Sequence, residues 1–414
     1  MSIIFYIVCI LGFIYFFINK RTFDFFSIAY VSSMVYFLPG FFGTTFLPGW
    51  IITDLLMETY FIMCLIPVSI VITAIIYDYY HISDEHLIKY DFQNSEYTYI
   101  MINIITIVSF IMMMLTMGSS LFLADKKEMM LEINSWSKIW ENAVCIGIVL
   151  AYLNNNKKSF LVYLAMIAFI IYTGDRTIPA IALISIMTIV FNSQGKQSIL
   201  FKRFKLVSIS VLFALFFFVY KYLYIHIKLK MWTEVFEKLT NPYFYLETVK
   251  FSEPFAIQTI LNETIKHDFY VGMGHFTGLL NQLVPFGNRL GATSVTFNNL
   301  FQQQLFPEVT YGMGSNIWAE MLSAGGWGLL FIFVLLFNMV LYVGNGLFRK
   351  SYGNFRVLMV ILLSFWSFYI HRSSLEYTIN LNKRIILLLL ISYMFSALVG
   401  YASKNKTYNK LVKS

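Results

Sequence analysis

Charge is scarce in this chain: 13% of its 414 residues are Asp, Glu, Lys or Arg, against 58% that are hydrophobic. With a mean hydropathy of +0.68, too little polar surface remains to coat a soluble globule of this size. A soluble enzyme or binding domain is therefore excluded. Cysteine is nearly absent as well. Cys9, Cys64 and Cys145 all fall within apolar runs and show no zinc-ligating spacing, so they read as small core residues. The net charge of +8 gathers in no single patch; its lysines and arginines sit at the ends of apolar runs, which argues against a nucleic-acid surface. No basic stretch precedes the first apolar run, 3–18, and Lys20 and Arg21 follow it. That order reverses a secretory signal and predicts an uncleaved first helix. Internal repeats and matched Gly/Pro-broken spans are lacking, which counts against an inverted-repeat transporter.

What the sequence does have is a series of continuous apolar runs of about 15 to 25 residues, long enough for helices to cross a hydrocarbon core of roughly 30 Å. Lipid offers the backbone no hydrogen-bond partners, so such runs must be helical, and they lack the alternation of a membrane barrel. The expected spans are 2–18, 25–43, 55–77, 98–117, 139–153, 159–173, 177–192, 206–225, 316–343, 356–371 and 385–402. The expectation is thus an all-α, polytopic membrane protein of about eleven helices, within a range of roughly ten to thirteen. Connectors bearing Lys20–Arg21, Lys157–Lys158, Lys196 with Lys202, Arg203 and Lys205, and Arg349–Lys350 with Arg356 alternate so as to share one side with the lysine-bearing tail. By the positive-inside rule that side is cytoplasmic, placing the N-terminus outside and the C-terminus inside. The connector 78–97 fits least well, because it is cytoplasmic in this scheme yet carries little positive charge.

One polar interruption stands out. Residues 1–225 and 316–414 read as transmembrane regions, and 226–315 as a large outer loop between them. Segments 121–140 and 232–261 mix apolar and charged residues in a way that suits lying along a membrane face. Candidate chemistry clusters toward the same side. Arg176, in the short connector Gly174-Asp175-Arg176, runs against the charge bias; it either pairs locally at a helix start or presents a planar fork to phosphate oxygens. The loop supplies His275, within VGMGH, and Arg289, flanked by Pro285, Gly287 and Gly291. The run YGMGSNIWAE ends the loop and enters a span; Ser315 or Asn316 would cap that helix and set Glu320 about one turn inside it. A carboxylate there serves either as an arginine's partner or as an acid or base. The small residues from Ser323 to Gly326 predict close helix packing. His371 and Arg372 end a further span on the outer side, where the choice is between ligand binding and snorkelling. No cluster of carboxylates or histidines has metal-ligand spacing, so no metal or other cofactor is expected.

Three segments together, TGDRT around Arg176, LLNQLVP at 279–285 and GMGSNIWAE at 312–320 followed by GGWG at 325–328, resemble the Wzy-type O-antigen polymerases and, more distantly, the O-antigen ligases. The architecture covers the whole chain; the motifs cover about a fifth of it. The resemblance implies a GT-C-like, metal-independent membrane glycosyltransferase of the bacterial inner membrane, with a helical periplasmic loop. Its substrate would be an undecaprenyl-diphosphate-linked oligosaccharide, its surroundings membrane lipids, and its partner a chain-length-determining co-polymerase. By position in the motifs, Arg176 and Arg289 would bind the diphosphate, with Arg372 third. Glu320 would be the base, with His371 or His275 as alternatives, and Asn316, Tyr311, Trp318 and Phe276 would line the sugar site. Ligases carry a histidine where this chain has Ser315 and Asn316, which favours polymerisation over ligation. A flippase would instead need polar residues along the middles of its spans.

Overall fold

The computed structural model describes residues 1–42, 55–81, 90–92, 96–123, 132–193, 204–250, 252–283, 295–309 and 312–411. Helices α1 (Ser2–Phe13), α2 (Phe25–Phe37), α3 (Met57–Tyr80) and α4 (Glu96–Met117) open the chain. Next come α5 (Ser135–Leu153), α6 (Lys157–Thr173), α7 (Thr177–Asn192) and α8 (Phe204–Lys228). Five short helices follow: α9 (Trp232–Thr240), α10 (Pro242–Lys250), α11 (Glu253–Lys266), α12 (Met273–Leu280) and α13 (Phe297–Leu305). Helices α14 (Ile317–Lys350), α15 (Gly353–Ser364) and α16 (Leu375–Leu411) complete the bundle. Each expected span overlaps a helix, and among the described residues five stretches, 57–80, 97–122, 317–350, 353–372 and 375–399, are long and apolar enough to cross a membrane by themselves. The protein is an all-helical, multi-pass membrane protein apart from one feature the apolar pattern did not predict. Strand β1 (Tyr90–Phe92) pairs in parallel with β2 (Ser351–Tyr352), Tyr90 opposite Ser351. That pairing places Tyr90 and Asp91, from the poorly charged 78–97 connector, beside Ser351 and Tyr352, which follow Arg349 and Lys350.

Charged and amide groups gather at the two ends of the bundle. At one end Arg21, only 6% exposed, donates from Nη1 and Nη2 to Asp24 at 2.7 and 2.9 Å and from Nε to Asp78 at 2.6 Å. Asp24 caps α2 by accepting from Ser27 N–H, and also accepts from Asn345 Nδ2 at 2.8 Å. One buried carboxylate therefore ties α2 to α14, and one arginine ties both to the end of α3. Buried ions of this kind hold only when fully paired. The opposite end, roughly 35 Å along α14 at 1.5 Å per residue, carries the sites described below.

Helix α11 shows how the polar loop is anchored to the bundle. Phe255, Ile257, Ile260 and Leu261 are buried. Gln258 Nε2 donates to the Tyr36 carbonyl at 2.7 Å, and Asn262 Oδ1 accepts from Leu56 N–H and Thr59 Oγ1. The loop is therefore partly a lid packed into the bundle rather than a free appendage. Helices α9 and α10 form a separate small core, in which Leu223 of α8 packs with Val235 and Phe244. They leave Phe236 and Tyr243 exposed on the loop's outside.

Candidate functional site

Gly174 adopts φ +93°, a left-handed cap that ends α6 and reverses the chain within one residue. Asp175 Oδ1 then accepts from Thr177 N–H at 2.8 Å and starts α7, leaving Arg176 at the corner. Arg176 Nη2 lies 3.1 Å from Glu253 Oε1, at the first turn of α11. Two further cations share that carboxylate. Lys221, near the end of α8, stands 3.4 Å from Oε1, and Arg372 contacts Oε2. Arg372 reaches it because α15 does not run on regularly; residues Phe365–Tyr369 widen into a π-helical turn and Ile370–Arg372 tighten into a 3-10 turn. Such breaks re-aim side chains and recur at functional sites. Tyr369 holds the guanidinium from below, its hydroxyl accepting from Arg372 Nη1 at 3.0 Å and from Thr177 Oγ1 at 2.9 Å.

Three cations thus face one carboxylate, leaving about two unneutralised positive charges around it. Each of the four side chains is between 20% and 26% exposed, so the cluster is partly exposed rather than sealed in the core. Burial pushes the Glu253 carboxyl up, but Arg372, Arg176 and Lys221 outweigh it and hold the group at about 2. A helix N-terminus adds to the preference for an anion. Lys138 makes a smaller cluster nearby, with Glu141 at 2.7 Å and Asp175 at 3.5 Å.

Glu320 occupies a second constellation. The run from Ser323 to Gly326, expected to serve close packing, does so at Gly325, where a Cβ would stand 2.8 Å from Met273 Sδ, and it also breaks α14: Gly325 and Gly326 leave helical geometry, the latter with φ +64°. The break leaves the Ser323 carbonyl to accept from Val271 N–H at 3.0 Å and Gly272 N–H at 3.3 Å, which docks the VGMGH segment onto α14. Docked there, His275 Nε2 lies 3.0 Å from Glu320 Oε1, while Glu320 Oε2 accepts from Leu375 N–H at 2.7 Å. Glu320 is fully buried with both oxygens engaged, so it does not face open space itself. The Glu320–His275 pair and Arg372 are joined through the three residues leading to Leu375.

Asn316 caps α14, as expected, accepting from Trp318 N–H and Ala319 N–H; its Nδ2 donates to the Ile257 carbonyl at 2.9 Å. Those bonds commit it to joining α14 to α11, in place of the ligand contact expected of it. His371 is likewise buried, with Trp318 Nε1–H donating to its Nδ1 at 3.1 Å and the rings of Phe37 and Phe337 beside it. Trp318 is fully buried and belongs to the core rather than to a sugar groove. Arg289 and Tyr311 lie outside the described residues. Among the described residues, no group of three or more His, Cys, Asp or Glu side chains is arranged to hold a metal ion.

Lys221 and Glu253 escaped the sequence reading. Lys221 had a signal, a lysine inside an apolar run at its outer end, whereas Glu253 looks like any acidic residue of a polar loop. Comparisons with family models, curated proteins and solved structures give no match to this chain.

Proposed function

We infer that the protein polymerises undecaprenyl-diphosphate-linked polysaccharide repeat units at the periplasmic face of the bacterial inner membrane. The reading includes about eleven crossings in a GT-C-like arrangement, with the N-terminus outside and the C-terminus inside. One observation carries it: Arg176, Lys221 and Arg372 converge on a single carboxylate beside the outer loop. Glu253 there stands where a phosphate group would bind. A diphosphate brings more negative charge than one carboxylate and suits the guanidinium forks better.

In this reaction the acceptor hydroxyl oxygen bonds to the anomeric carbon of the donor chain as the bond from that carbon to the diphosphate oxygen breaks. The leaving oxygen takes the bonding electron pair, and the three cations stabilise its charge. The acceptor proton goes to His275. Glu320, hydrogen-bonded to His275 Nε2, orients the ring and leaves Nδ1 as the acceptor atom, as a carboxylate does for a catalytic histidine. Glu320 is thus a positioning residue, and so are Asn316 and His371. By the resemblance, Arg289 would add a further guanidinium and Tyr311 a sugar contact.

The test is a polymerisation assay with purified protein and lipid-linked repeat units, products resolved as a ladder. Wild-type protein should build the ladder, and Arg176→Ala or Lys221→Ala should slow it by about 100-fold or more, the usual cost of losing a preorganised charge donor. A ladder made at the wild-type rate by both variants would sink the reading. Transfer only onto a lipopolysaccharide core would replace it with ligation.

A further inference from the structure

Helix α13 is amphipathic. Phe297 and Phe301 are buried on one face, against Phe269 and Phe306. The other face carries Asn298, Asn299, Gln302 and Gln303. A polar helix face ordinarily meets water, but here the chain returns over it. The Gln302 side chain holds the return in place: its Nε2 donates to the Val309 carbonyl at 2.9 Å, and its Oε1 accepts from Met313 N–H at 3.5 Å. A cleft of about 340 Å3 results, lined by the four amides with Phe306 and Pro307, within the range of roughly 300–1,000 Å3 usual for small-molecule sites.

Two observations point to its occupant. Among the described residues no charged side chain lines the cleft, in contrast to the cation cluster. The cleft also leads toward the cations: Gly312 lines it, and a Cβ placed on Gly314 would stand 3.8 Å from Arg372 Nε. Each amide offers both donors and an acceptor, which matches hydroxyls that also do both, while Phe306 and Pro307 suit the apolar C–H face of a sugar ring.

We propose that this amide-lined cleft binds uncharged sugar residues of an oligosaccharide, as a subsite separate from the cations that take the diphosphate. The proposal deepens the polymerase reading and rests on it for the identity of the natural ligand. The experiment presents full-length protein in detergent to an array of neutral di- to tetrasaccharides and their uronic-acid counterparts, none carrying phosphate. The strongest neutral probe is then titrated in solution. Wild-type protein should bind neutral probes. Asn298→Ala and Gln303→Ala should weaken that binding at least tenfold while keeping the wild-type melting temperature and wild-type affinity for inorganic pyrophosphate. Saturating pyrophosphate should leave the sugar in place. Absence of neutral-glycan binding, full binding by both variants, or displacement by pyrophosphate would each overturn the proposal. If sugar binding behaves as expected but pyrophosphate fails to bind and no ladder forms, the subsite stands and the polymerase reading falls.

Discussion

Glu253 faces three cations, and its replacement has consequences in opposite directions. Glu253→Gln removes the only negative charge in that group and leaves Arg176, Lys221 and Arg372 repelling one another, at a cost of about 1–3 kcal/mol for partly exposed ions. Its melting temperature should therefore fall in buffer and recover on adding inorganic pyrophosphate, which wild-type protein should bind more weakly than the variant. A variant with lower stability and no gain in pyrophosphate affinity would show that Glu253 is a structural partner only. The pH dependence follows from the same group. Its carboxyl is depressed from 4.5 to about 2, so its contribution to stability is complete above about pH 4.5 and disappears as the pH falls toward 2. Across that window the wild-type melting temperature should drop more than that of Glu253→Gln. Arg176 and Arg372 were legible beforehand because each runs against the charge bias of its side. Glu253 was not, since its partners come from three segments distant in sequence. Asn316 was legible as a helix cap; what the sequence could not show is that its amide was also spent on α11.

Helix ends and breaks decide where the site residues point. The interval 316–343 was expected as one span with close packing at its small residues; Gly325 does pack against Met273, yet Gly325 and Gly326 also break the helix, and the freed Ser323 carbonyl docks the loop that carries His275. Periodicity could not reveal this, because a glycine pair serves packing and kinking equally well. Gly326→Ala would force a side chain into a left-handed backbone conformation. Its expected effect is loss of the 271–275 docking, read as faster amide exchange at Val271 and Gly272, with a fall in turnover that resembles His275→Gln. Other glycines pack closely too. A Cβ on Gly344 would stand 2.3 Å from a Leu363 methyl, where α14 meets α15. Gly344→Ala should therefore destabilise by about 1–3 kcal/mol through overpacking while leaving pyrophosphate affinity as it is in the folded fraction.

The bundle as a whole separates two kinds of charge. At one end Arg21 and Asp24 are buried and paired, Asp78 joins them at 30% exposure, and Arg349 lies 3.6 Å from Asp24; at the other, three partly exposed cations outnumber their carboxylate. The first arrangement suits a clasp, the second a waiting binding site. Removing one partner from a buried network leaves its remaining charges uncompensated, so Asp24→Ala should cost about 3–5 kcal/mol and be read as loss of the folded detergent-extracted species. The helices themselves were legible from apolar length. The β1–β2 pairing was not, because strands of two or three residues leave no period to read. That pairing bears on orientation, since it puts 90–92 and 351–352 at one level with the Arg21 clasp. A thiol at Gln303→Cys should then react with a membrane-impermeant reagent on intact cells, whereas one at Tyr352→Cys, half exposed in the structure, should react only after the membrane is opened. Labelling of both positions from outside would break the proposed alternation and remove the cation cluster's claim to a periplasmic substrate, leaving the clasp and the cluster as chemistry without an assigned side.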